Sequence, residues 1–77
     1  MKTIQMNQNN AKGQWWLDYS HWVALKNAGW EVDQPRYATK QFETMDQGKE
    51  EFELLTGFSR NDIRCNCCGY TFNFYEL

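Results

Sequence analysis

Apolar residues recur along this chain at two spacings, and the switches between them mark out the elements. From Thr3 to Asn7 every second residue is apolar, with Ile4 and Met6 on one side, which predicts a short edge strand. Asn7 to Gly13 is polar and ends in glycine, the composition of a turn or loop. Gln14-Trp15-Trp16-Leu17 predicts a return strand. Successive strand residues point to opposite faces. Trp15 and Trp16 then cannot both enter one core, and one of them needs a cover from a second layer, another chain or a ligand.

At Asp18 the period lengthens. Asp18 has the character of an N-cap, because a carboxylate accepts from the unpaired N–H groups of a first helical turn. A helix is predicted from about Tyr19 to Ala28. Trp22, Val23, Leu25 and Ala28 form its apolar side, and Ser20 and Asn27 its polar one. Gly29 fits a left-handed stop, with Trp30 folding back on the last turn. Trp30-Glu31-Val32 predicts a short strand, Asp33-Gln34-Pro35 a turn, and Arg36 to Glu43 another strand. There Lys40 and Arg36 suit the polar positions of a solvated or edge strand.

Thr44-Met45-Asp46-Gln47 matches a capping box. It opens a second helix over about Met45 to Thr56, with Met45, Phe52 and Leu55 on one face. Gly48 lies near that face, where a missing side chain lets a neighbour approach. Asp46, Glu50 and Glu53 lie outside. Gly57-Phe58 repeats the stop of Gly29-Trp30. Ser59 to Asp62 suggests one further capped turn, anchored by Ile63. Tyr70, Phe72 and Phe74 then alternate with Thr71, Asn73 and Tyr75, predicting a final strand over Tyr70–Tyr75. Its aromatic face is the most apolar of any strand, which places it inside the sheet.

These elements define an α+β fold, a small antiparallel sheet packed against two short helices. At 77 residues the chain is one compact domain, residues 1–77. A chain this short buries only ~60% of its unfolded surface, so a metal, a disulfide or a partner commonly adds support. Aromatic residues make up 17% of it. Trp15, Trp16, Tyr19, Trp22 and Trp30 all fall within positions 15–30. A small interior cannot absorb so many large rings, and exposed Trp and Tyr favour binding hot spots. Trp15, Trp16, Tyr19 and Trp30 are therefore the candidate contact residues for a protein partner.

Charge narrows the partner. A formal net charge of −2 argues against nucleic acid and against an anionic membrane surface. No apolar run nears the ~20 residues of a membrane span. The first ten residues lack the apolar stretch of a signal peptide, so a reducing, cytoplasmic setting is expected. Asp46, Glu50, Glu51 and Glu53 give the second helix an acidic face. That face serves solubility, or mimics phosphate for a basic groove.

All three cysteines cluster near the end of the chain, as Cys65-Asn66-Cys67-Cys68-Gly69. Cys65 and Cys68 have C-x-x-C spacing with a following glycine, which resembles one half of a zinc-ribbon knuckle. A full tetrahedral set would recruit Cys67, His21, or the same pair from a second copy, making a zinc-stabilised dimer. A second reading packs the three as reduced, apolar side chains. A third makes Cys65 and Cys68 a redox pair, although such pairs more often open a helix than precede a strand. His21, the one histidine, is otherwise a boundary residue on a helix face. No arrangement of nucleophile and base is recognisable, so no enzymatic activity and no required cofactor are expected.

The stretch from Phe52 to Ser59, followed by Cys65-Asn66-Cys67-Cys68-Gly69, resembles small phage-encoded proteins of unknown function that end in a cysteine-rich segment and an aromatic strand. The likeness spans about 25 residues. It implies a module that binds a host or defence protein.

Overall fold

A computed structural model of the chain describes residues 1–8, 15–58 and 72–77. The elements run β1 (Lys2–Gln8), α1 (Tyr19–Asn27), β2 (Glu31–Asp33), β3 (Tyr37–Phe42), α2 (Met45–Thr56) and β4 (Phe72–Glu76). The strands form one antiparallel sheet in the order β2-β3-β1-β4. This is the α+β architecture that the pattern predicts.

The register explains the core. Met6 lies opposite Ala38 on one side and Phe74 on the other. Alternation then carries Ile4, Met6, Ala38, Phe42, Phe72 and Phe74 to one face, where all are buried. Trp22 and Leu25 of α1 and Phe52 of α2 complete the cluster. Phe52 sits 4.8 Å from the ring of Phe72 and 5.5 Å from that of Phe74. At Gly48 α2 packs against the sheet with no room for a side chain. A Cβ there would stand 3.2 Å from both Ile4 Cγ2 and Phe42 Cδ2.

Both helices start and stop as their caps dictate. Asp18 accepts from the N–H of His21, and Thr44 accepts from that of Gln47. Gly29 and Gly57 take positive φ values of 99° and 82°. After Gly29 the Trp30 N–H reaches back to the Leu25 carbonyl at 3.0 Å.

Several expectations give way. Trp15–Leu17 form no strand, and Gln14 lies outside the described residues. β1 is not an edge strand; it runs between β3 and β4. Among the described residues β4 is itself the edge strand rather than an interior one. Its aromatic face is buried by α2 above the sheet, and cover from above does not require a strand on its outer hydrogen-bonding edge. Lys40 is not on a solvated face: opposite Ile4, it stands on the core side of β3. Tyr70 and Thr71, the turn predicted at 59–63 and the whole cysteine cluster lie outside the described residues.

Candidate partner-binding surface

Between β1 and α1 the chain shows its tryptophans to solvent and anchors itself on either side of them. Leu17 is buried in the core. Just before it, Trp15 is 49% exposed and Trp16 38%; just after the cap, Tyr19 is 74% exposed. The backbone beneath is held by Gln8, the last residue of β1. The N–H groups of Trp16 and Leu17 donate to Gln8 Oε1 at 2.9 and 3.0 Å. Gln8 Nε2 donates to the carbonyl of Pro35. One buried amide side chain thus does what a strand partner does elsewhere, satisfying main-chain groups that would otherwise be stranded.

Asp18 fixes the other end of the segment. Its Oδ1 accepts from Ser20 Oγ at 2.6 Å and from the His21 N–H at 3.2 Å. The Ser20 bond, and then the His21 backbone bond, hold this carboxyl below the ordinary aspartate range. His21 completes the box, its Nδ1 accepting from the Asp18 N–H at 3.2 Å. The imidazole also meets Phe58, centroid to centroid at 5.6 Å, and Phe58 meets Phe72 at 4.8 Å. The start of α1 is thereby seated on Phe58, the second residue past α2.

The four predicted contact residues separate. Trp15, Trp16 and Tyr19 share the exposed segment. Trp30 does not: it is 2% exposed, a core residue. Its ring lies 5.5 Å from Phe42, and its Nε1 donates to Glu51 Oε2 at 2.9 Å. The left-handed turn at Gly29 swings the ring inward. Gln8 was missed by sequence reasoning because it lies in a polar run that reads as a loop. The clue was parity, since Gln8 continues the inward set of Ile4 and Met6.

Of the residues considered for metal, His21 serves the α1 cap, and Cys65, Cys67 and Cys68 lie outside the described residues. Among the described residues no group of three or more metal-ligating side chains converges. Nor, among them, is any helix long and apolar enough to cross a membrane. On the predicted acidic face, Glu51 turns inward to Trp30 and Lys40, leaving Asp46 and Glu50 exposed and Glu53 half-buried. No protein-family model matches the chain, and neither a curated protein nor a solved structure matches it.

Proposed function

We propose that this chain is a non-enzymatic protein-binding module whose contact surface is Trp15, Trp16 and Tyr19. One observation carries the reading: two adjacent indoles and a tyrosine are exposed on a backbone that Gln8 and Leu17 fix in place. Large rings on a pre-ordered segment lose little entropy on binding, and Trp and Tyr supply much of the energy at protein interfaces. The net charge of −2 favours a protein over nucleic acid. The resemblance of the C-terminal third to small phage proteins supports a host or defence protein in the cytoplasm as the partner, and a modulator or inhibitor as the chain's role.

Co-purification from the native cell tests the reading. A protein retained by the wild type is expected to be lost from a Trp15→Ala/Trp16→Ala variant that remains folded. A folded variant that keeps every partner would sink the proposal. Two competing readings, a zinc-stabilised dimer and a thiol redox protein, rest on the C-x-x-C spacing of Cys65 and Cys68. Native mass spectrometry tests the first through a mass that falls when a chelator is added. Thiol titration at neutral pH tests the second through one cysteine that reacts unusually fast.

A further inference from the structure

α2 carries a second stripe beside the one that faces the core. Gln47, Glu50, Glu51 and Leu54 recur at helical spacing, and all four line an open groove of about 510 Å³. The facing wall is the end of β3, Lys40 to Phe42, with Glu43 beyond it. The shortness of β2 leaves this space open. Its pairing with β3 ends at Glu31 opposite Thr39, so among the described residues no strand flanks Lys40–Phe42 on that side.

The lining is apolar with an acidic rim. Leu54 is 82% exposed, a large apolar side chain left in water, and Phe42 lines the same groove. Lys40 is already engaged, with its Nζ 2.7 Å from Glu51 Oε2 and 2.7 Å from the Ala28 carbonyl. Glu43 and Glu50 are exposed and form no ion pair among the described residues. Lys40 and Met1 also line the groove, and Glu43, Glu50 and Glu51 together leave its rim net negative around an apolar floor.

We infer that this groove is a second docking site, and that its occupant is a basic protein segment with an apolar anchor. The anchor covers Leu54, while lysine or arginine side chains on either side of it meet Glu43 and Glu50. Charge complementarity selects this occupant: an acidic segment or a nucleic acid brings the wrong sign. The site runs along α2 and the end of β3, where Phe42 pairs with Lys2 at the start of β1, whereas Trp16 is tied to Gln8 at the other end of β1. It does not depend on the aromatic surface.

The probe is a short peptide alternating lysine and leucine, titrated into the 15N-labelled full chain. Shifts are expected at Leu54, Glu50, Phe42 and the Trp30 indole N–H, with a Kd on the order of 100 μM. Raising the salt to about 0.5 M weakens binding several-fold. Leu54→Ser and Glu50→Lys alter exposed positions, so both variants fold; each weakens binding about tenfold. A Trp15→Ala/Trp16→Ala variant binds the peptide as the wild type does, which separates failure here from failure of the aromatic surface. Absence of binding at millimolar peptide overturns the inference. So does equal binding of the peptide with glutamate in place of lysine, or shifts confined to Trp15 and Trp16.

Discussion

Gln8 Oε1 accepts the backbone N–H of Trp16 at 2.9 Å, so a buried side chain of β1 sets where the exposed indoles stand. The same oxygen takes the Leu17 N–H at 3.0 Å. Replacing Gln8 with Met keeps the bulk and strands both donors, at a cost of about 1–3 kcal/mol. Urea denaturation is expected to show that loss. Capture of the partner is expected to fall further than stability does, because the Trp15-Trp16 segment is released while the sheet persists. A Gln8→Met variant of undiminished stability would mean that the two N–H groups find other acceptors.

Gly48 yields a second prediction. Alanine in its place raises helix propensity by about 1 kcal/mol. The new methyl, however, meets Ile4 at 3.2 Å and the Phe42 ring at 3.2 and 3.3 Å, and both neighbours are buried. Overpacking of this kind costs about 1–3 kcal/mol, so Gly48→Ala is expected to lose about 1 kcal/mol net. Gly48→Leu, which has no space at all, abolishes cooperative folding. A thermal melt separates the cases; a Gly48→Ala protein that melts above the wild type would show that the sheet moves aside at little cost.

Gly48 also marks where sequence and structure agree most closely. Caps and helix stops are built from residues a few positions apart, so Thr44, Gln47 and Gly57 carry their geometry in their spacing, and α2 runs over Met45–Thr56 as predicted. Strand order is different in kind. Nothing near Ile4 or Phe74 states that β1 pairs with β3 on one edge and with β4 on the other, because those bonds join residues about 30 to 40 and about 64 to 72 positions apart. Trp15-Trp16-Leu17 resembles a strand because its residues have high β-propensity, yet the backbone here is held by a side chain from outside the segment. At the candidate surface, the surplus of rings was legible in composition. Which rings stay outside was not, since Trp30 is drawn in by a turn and by an acceptor, Glu51, far along the chain.

That acceptor is shared. Glu51 Oε2 receives the Trp30 indole N–H at 2.9 Å and Lys40 Nζ at 2.7 Å, and Lys40 also reaches the Ala28 carbonyl at the end of α1. A cation at a helix C-terminus is favourable, and here it also ties α1 to α2 through β3. Both side chains are about a third exposed or less, so solvent screens the pair. A double-mutant cycle with Lys40→Met and Glu51→Gln is expected to give a coupling of about 1 kcal/mol, smaller in high salt. The Trp30 indole N–H resonance should move in either single variant. Additive single effects would show that the pair contributes only packing.

Asp18 makes the cap of α1 sensitive to acid. Its carboxyl is held below the ordinary aspartate range by Ser20 first, and then by the His21 N–H. A group whose pKa is depressed by folding contributes fully above its unfolded value and loses that contribution as pH falls through the folded value. Above the ordinary aspartate pKa of about 3.9 the carboxylate's contribution to the cap is therefore constant, and below it that contribution declines and is lost as pH falls through the folded value. Asp18→Asn keeps an accepting oxygen that does not titrate across that window. Urea midpoints measured from neutral pH down to about pH 2 are expected to fall more steeply for the wild type than for Asp18→Asn, with the difference confined to the region below the ordinary aspartate pKa. Parallel acid limbs in the two proteins would mean that the carboxylate charge adds nothing to the cap beyond its hydrogen bonds.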